Sequence, residues 1–432
     1  MKFTFVLFAA FCLLCSVSAA QWLETTIQLP PGSRPNALSY NPQNNKVYCA
    51  NTDHSLTVVN GATNQVIATL YLKGYPHSVC CNPRDNKAYC ACDSACKVVV
   101  IDGSGDSIVA MAPTGDMPLA MGYDSINNRV YSASYYDGVV TVIDGSADTV
   151  VATLTGLDSP HALCFNLQNN RVYCADYGAE DVLVIDGATC HTIAVVPVGH
   201  EPRALCYVPS NNCVYCGNGL GRSVTVIDGA TNQVATTVPV TGEVYDICYN
   251  PRDNKVYTAE YSRGVVSVID AATNQVVTSV PAGNGPWAIC YNEENDKVYC
   301  VAFCDTLLTV IDGETNVVLR TIGVGFEPCA LAWNPAQNRM YAANYGSSSI
   351  SVLRDSGGGI QESHKPQASS AKPAATVVSV LPTGTVAFDA MGRRVVSPKS
   401  GVYFVREGPS AVGPRSLSEN SNTLERTGPL RV

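Results

Sequence analysis

Apolar and polar residues along this chain fall into short runs, roughly five to eight residues long, separated by clusters of Asn, Asp, Pro and Gly. Between residues 203 and 240 the runs are Arg203 to Tyr207, Cys213 to Gly217, Ser223 to Asp228 and Gln233 to Val240. Rich in Val, Ile, Thr and Tyr and bounded by turn formers, they predict four short strands joined by hairpins. No stretch carries helical periodicity, which excludes helical solenoids.

The four-strand pattern recurs. An Ile-Asp pair places Asp102, Asp144, Asp186, Asp228, Asp270 and Asp312 at steps of 42 residues, with Asn60 and Arg354 in the same slot one period before and after. A second landmark is Tyr48, Tyr89, Tyr131, Tyr173, Tyr215, Tyr257, Tyr299 and Tyr341, again at steps of 42 apart from one of 41. Four strands per unit of this length is the signature of propeller blades. The first turn in several copies reads Asn-Pro-x-x-Asn-Lys, as at Asn250 to Lys255: Pro pre-sets φ and Asn tolerates the left-handed region. In the third turn the repeated Asp is placed to accept from turn amides, so it reads as a turn device rather than a metal ligand.

The first three strands of the unit occur eight times, but the fourth follows them only seven times. The missing fourth strand stands at the front, Trp22 to Leu29, where it can pair with Ile350 to Arg354 and close a ring. The expected fold is therefore all-β, an eight-bladed β-propeller, with seven blades the alternative if one copy is used differently.

Composition adds a setting. At 46% hydrophobic and 15% charged, the chain can bury a core. Residues 1–20 read as a signal peptide: Lys2, an apolar run from Phe3 to Leu14, then Val17-Ser18-Ala19-Ala20. That run is too short to span a membrane, and no later segment is longer. Residues 21–353 carry 16 basic and 30 acidic side chains, whereas 354–432 carry 10 basic and 6 acidic. An acidic body without basic aromatic stripes argues against nucleic-acid binding.

Val47-Tyr48-Cys49-Ala50-Asn51, Val214-Tyr215-Cys216-Gly217-Asn218 and Met340-Tyr341-Ala342-Ala343-Asn344, with Val224 to Asn232 following the second, resemble the YVTN-type β-propeller repeat over roughly residues 22–354. The resemblance implies a surface-layer-like or otherwise exported protein, mostly without enzymatic activity. Residues 356–375, rich in Gly, Ser, Ala and Pro, read as a flexible linker. Beyond it, Val386 to Val395 and Gly401 to Arg406 resemble the C-terminal sorting domain of type IX secretion substrates. That resemblance implies export machinery as a partner of segment 376–408; a small β hairpin appended to the propeller is the plainer reading. Residues 409–432 form a tail that the pattern does not predict.

Seventeen of the 19 cysteines follow residue 20. Many occupy strand slots that hold Ser, Ala, Thr or Gly in other copies, so the default is a small buried hydrophobe. If the first turn is centred between them, Cys80 faces Cys90, Cys164 faces Cys174, Cys206 faces Cys216 and Cys290 faces Cys300, within disulfide reach. With five Cys in each slot, about three such matches arise by chance. Cys213 and Cys216 have metal-like spacing but point to opposite faces of a strand. No metal or cofactor is expected. The vicinal Cys80-Cys81 is similar to a feature of quinoprotein dehydrogenases, but the tryptophans that family uses to dock its blades are missing.

The candidate binding surface is a slot at the start of each first strand, occupied by Asn36, His77, Leu119, His161, Arg203, Tyr245, Trp287 and Cys329. Of these, Asn36, His77, His161, Arg203, Tyr245 and Trp287 would ring the channel mouth if the first strand is innermost, and Tyr, Trp and Arg are common binding anchors. An unconstrained mouth free to drift in sequence accounts for the same variety. No Ser/His/Asp, paired-carboxylate or metal-ligand constellation recurs. The expected function is an exported, secreted or cell-surface module for binding or structural display, meeting a protein or glycan ligand at the propeller face. The alternative is an extracellular enzyme, quinoprotein-like or lactonase-like, acting at the mouth.

Overall fold

A computed structural model of the chain describes residues 21–355 in full and the backbone of four short strands beyond them. The expected signal peptide, the linker up to its last residue and the tail 409–432 lie outside the described residues. The four later strands, Ala375–Val377, Val386–Phe388, Arg394–Val395 and Val402–Arg406, form an antiparallel sheet with Val402–Arg406 between the first and second.

Residues 21–355 form eight four-stranded antiparallel sheets. Blade 5 is Pro202–Val208, Cys213–Asn218, Ser223–Asp228 and Gln233–Pro239. The first strand of every blade lies beside the first strand of the next, and that of blade 8 (Pro328–Asn334) lies beside that of blade 1 (Pro35–Asn41). The first strands are thus innermost and the ring closes at eight blades. The N-terminal strand Gln21–Gln28 is the outer strand of blade 8, antiparallel to Ser349–Asp355 with Ile27 opposite Ile350.

Three repeated devices hold neighbouring blades together. Each landmark tyrosine is fully buried, and in six of the eight blades, all but blades 1 and 7, its hydroxyl bonds to the third turn of the next blade. Tyr89 donates to Asp148 Oδ1 (2.8 Å) beside Gly145 O (3.1 Å), and Tyr257 donates to Asn316 Oδ1 (2.9 Å) beside Gly313 O (3.1 Å). In every blade but blade 5, which has Cys213 there, a basic residue stands two positions earlier, and in blade 2 Lys87 Nζ donates to Gly145 O (2.9 Å) and Asp148 (2.8 Å) of the same turn. The third device is a chain of amides at the first turns. Asn82 donates to Asn128 (2.9 Å), Asn166 to Asn212 (3.0 Å), and Asn334 to Asn45 (3.0 Å) across the seam. The acceptor position is left-handed in all eight blades, from φ 47° at Asn338 to 55° at Asn128 and Asn254, which is why Asn or Asp recurs there. The repeated Asp caps its own turn, Asp144 accepting from Ser146 N (2.9 Å) and Ala147 N (2.8 Å).

The first-turn geometry corrects the expected cysteine facing. Four turn residues, 167–170, separate the paired Asn166 and Arg171, so Cys164 stands opposite Tyr173 and Cys174 opposite Leu163. Likewise Cys80 faces Tyr89, Cys206 faces Tyr215 and Cys290 faces Tyr299. An even-numbered turn ending in a left-handed residue shifts the register by one, and a one-residue shift moves a side chain to the other face. Each of the four expected pairs therefore has its thiols on opposite faces of the sheet, and all four pairs are free thiols.

Blade 8 has no third turn, because its outer strand comes from the N-terminus. Asp355 takes over that role for blade 7. Its carboxylate accepts from Lys297 Nζ (2.9 Å), Tyr299 hydroxyl (2.8 Å) and Gln21 Nε2 (3.0 Å). The Lys297 and Asp355 side chains are only 6% and 2% exposed. Breaking a buried pair from one side costs roughly 3–5 kcal/mol. Asp355→Ala is therefore expected to lower the urea midpoint substantially more than Asp106→Ala, whose partner Lys46 is more exposed; equal shifts would contradict Asp355 as the seam's anchor.

Candidate functional site

Two sets of positions emerge at the same end of the blades. One is the variable slot at the second residue of each inner strand, just after the loop from the previous outer strand. The other opens each second turn, four residues after the landmark tyrosine: Thr52, Asp93, Tyr135, Tyr177, Gly219, Tyr261, Phe303 and Tyr345. Five of these eight are aromatic, and the sequence reading missed them.

From blade 3 to blade 7 the two sets interlock into one half-buried arc. Tyr135 lies 6.1 Å from Tyr177 and 6.4 Å from His161, which stacks on Tyr177 at 5.8 Å. In blade 5 the turn position is Gly219, and the side chain of Arg203 fills its space: a Cβ at Gly219 would sit 2.7 Å from Arg203 Nε. The guanidinium lies between two rings, 4.9 Å from the centroid of Tyr177 and 4.7 Å from that of Tyr245. Its Nη2 donates to Tyr177 hydroxyl and Glu201 Oε2, both at 3.1 Å. Tyr245 then stacks on Tyr261 (4.7 Å) and meets Trp287 at a tilt (4.9 Å), as Trp287 meets Phe303 (4.8 Å). Aromatic pairs at such separations add to the energy of burial, so the arc is a preformed surface.

Four of the six candidates, His161, Arg203, Tyr245 and Trp287, thus share one surface. The other two lie on blades 1 and 2. Asn36 donates to His77 O (3.0 Å), and His77 Nε2 approaches Asp93 Oδ2 at 3.6 Å. Burial lowers the pKa of His77 against the pull of Asp93. It also lowers that of His161, with the nearby Arg203 charge acting in the same direction.

Carboxylates interrupt two mostly neutral patterns at this end, the second of them also at Glu260 of blade 6. The residue after the variable slot is Ala in six blades and Ser78 in another, but Asp246 in blade 6. Asp246 accepts from Ile289 N (2.9 Å) of blade 7 and from Ile247 N (2.8 Å). At the end of the second strand, Asn218 donates to Ser223 and Thr225 hydroxyls at 3.0 Å. Blade 4 instead sets Asp176 opposite Asp181, with Leu183 where Thr225 stands. Among the described residues no group of three or more His, Cys, Asp or Glu is placed to hold a metal ion. A cavity of about 200 Å³ beside Gly122, Leu163 and Cys164 touches none of the arc residues.

The fold defines the class, an eight-bladed β-propeller. No family model matches the chain, and no curated protein matches it. Among solved structures it is similar to the computationally designed Ika8 protein, with 20% identity and a TM-score of 0.65 over 78% of this chain and 100% of that one. It is also similar to Sqt1 of Saccharomyces cerevisiae, with 11% identity and a TM-score of 0.68 over 77% of this chain and 99% of that one. At these identities the likeness concerns the fold alone. No helix among the described residues is long and apolar enough to cross a membrane.

Burial pushes the Asp246 carboxyl up to about 6. Burial, and secondarily the Asp176 charge, push Asp181 up to about 6. Both groups hold a proton more tightly folded than unfolded, so they favour the folded state at low pH and lose that contribution as pH rises through about 6. Asp181→Asn and Asp246→Asn are each expected to raise the melting temperature more at pH 7.5 than at pH 4.5. An equal or reversed gain would contradict the assigned shifts.

Proposed function

We propose that this chain is an exported YVTN-type propeller, secreted or displayed at the cell surface, that works as a non-enzymatic binding module through the mouth arc. In this reading the segment after the linker is a sorting signal for the export machinery, and blades 1 to 8 carry the function. One observation supports it above the others: positions that bond blade to blade repeat almost unchanged, while the two mouth sets diverge. Where they diverge, five consecutive blades supply side chains that fit one another. A mouth drifting without constraint would scatter its rings; it would not place Gly219 beneath the one guanidinium that needs the room.

The arc has the composition of a recognition surface. Tyr and Trp rings and Arg guanidinium groups are the residues that most often dominate binding energy at well-packed sites. Nothing in the arc is arranged as a nucleophile with a base, which separates this reading from hydrolysis.

The test is the labelled full-length protein on peptide and glycan arrays, beside the double variant Arg203→Ala/Trp287→Ala. The wild type is expected to bind a restricted ligand set, and the double variant to lose most of that signal while retaining a cooperative melting transition. Binding unchanged in the double variant, or no ligand on either array, would overturn the arc as the functional site.

A further inference from the structure

The arc is not electrically neutral ground. The sixteen loops at its end of the ring, eight entering the inner strands and eight second turns, carry ten acidic and four basic residues. Among the described residues Asp53, Asp116, Asp137, Asp158, Asp305 and Glu327 form no salt bridge with a basic side chain. The same loops hold a single amide side chain, Asn284. A neutral, hydroxyl-rich ligand would find few paired donors and acceptors there, whereas a cation would find carboxylates around a floor of rings.

The molecule already contains one example of the mode. The Arg203 guanidinium lies between Tyr177 and Tyr245, each ring within the roughly 6 Å range of a cation–π contact. Blades 6 and 7 repeat the rings without the cation. Trp287 lies against Tyr245 (4.9 Å), Tyr261 (5.9 Å) and Phe303 (4.8 Å), and no basic group of the described residues stands over Tyr261, Trp287 or Phe303. Arg263, in the same turn as Tyr261, is turned aside and donates to Thr241 O (3.2 Å). Asp305, Glu327 and Asp246 lie on the same or adjoining blades.

We propose that Tyr245, Tyr261, Trp287 and Phe303 take up an Arg or Lys side chain from an extended, cationic polypeptide segment, with the surrounding carboxylates drawing that segment to the mouth. The assignment rests on the arc being the ligand site and names the chemistry of its partner. The rings supply the contact that discriminates; the acidic loops supply attraction that salt weakens. Trp has the strongest cation-attracting face, so Trp287 is the residue on which binding turns.

The experiment is fluorescence anisotropy of the full-length protein with three labelled probes: an Arg-Gly repeat octapeptide, its Glu-Gly counterpart and a neutral hexasaccharide. The Arg-Gly peptide is expected to bind, more weakly as NaCl rises, and the Glu-Gly peptide not to bind. Trp287→Leu and Tyr261→Leu should each weaken binding roughly 5- to 30-fold, the range for a partly desolvated cation–π contact. Trp287→Phe should recover part of that loss, and the melting temperature of each variant shows that the ring still folds. Arg-Gly binding that falls with salt but is indifferent to Trp287→Leu would reduce the effect to non-specific charge and overturn the proposal. Trp287-dependent binding of the hexasaccharide without peptide binding would overturn the cationic partner while leaving the arc as a binding site. Failure of all three probes would overturn it as well, and an array ligand lost in Arg203→Ala/Trp287→Ala would then show that the arc itself still stands.

Discussion

The tyrosine hydroxyl that crosses from one blade to the next, at seven of the eight joints, is the interaction on which this architecture depends. A blade is a small sheet with apolar residues on both faces, so it becomes stable only when sandwiched between neighbours. Apolar packing sets the spacing of two such sheets and restricts their angle, but it leaves the register of one against the other less sharply fixed. The hydroxyls fix it, because each must find its acceptor in a dry interface or leave a buried polar group unpaired, at roughly 1–3 kcal/mol. The effect on the tyrosines themselves is visible at Tyr215, whose pKa burial pushes up to about 12. The basic residue and the left-handed turn residue act on the same joint, so the joint transmits one orientation around the ring. At the seam, where the turn is missing, Asp355 supplies the acceptor and ties in the N-terminal strand through Gln21.

Uniform joints free the ends of the blades to differ. Nearly every position that bonds blade to blade is the same from copy to copy, with Val208 and Cys190 as exceptions in slots otherwise held by Asn or Asp. The first exception is covered by a neighbour: Ser210 donates to Asn254 at 2.5 Å across the joint that Val208 leaves without an amide. The mouth positions also touch from blade to blade, Asn36 donating to the His77 carbonyl and Cys329 Sγ to Pro35 O at the seam, but these contacts differ from joint to joint where the tyrosine joints repeat. They can therefore change without loss of fold, and this separation lets one side of the ring become an aromatic surface while blades 1 and 2 remain polar.

The ring was legible in the sequence because its two landmarks are the residues of the joint: the landmark tyrosine donates, and the Ile-Asp turn shapes its acceptor. The count of eight followed from the displaced outer strand at the front. Register within the first hairpin was not legible to one residue, since an odd and an even turn leave the same alternation on each strand. Only the left-handed φ of Asn170 and its equivalents fixes the even count. The inner-strand half of the mouth stood out because it varies where its neighbours do not. The turn half did not stand out, since Thr52, Asp93 and Gly219 dilute the five aromatics and no strand pattern draws the eye to a turn. Counting four residues on from each landmark tyrosine would have found it. Export and sorting rest on segments outside the described residues or described only as backbone, and on likeness of motif.

The most direct test of the joint is a double-mutant cycle between Tyr89 of blade 2 and Asp148 of blade 3, using Tyr89→Phe, Asp148→Ala and the pair, read by denaturant unfolding. A charge-assisted hydrogen bond in a dry interface predicts a coupling of about 1.5–3 kcal/mol. Additivity within about 0.5 kcal/mol would show that the two side chains act independently. Blade order would then rest on apolar packing alone, and the tyrosine hydroxyl would no longer be the interaction that orients each blade on the next.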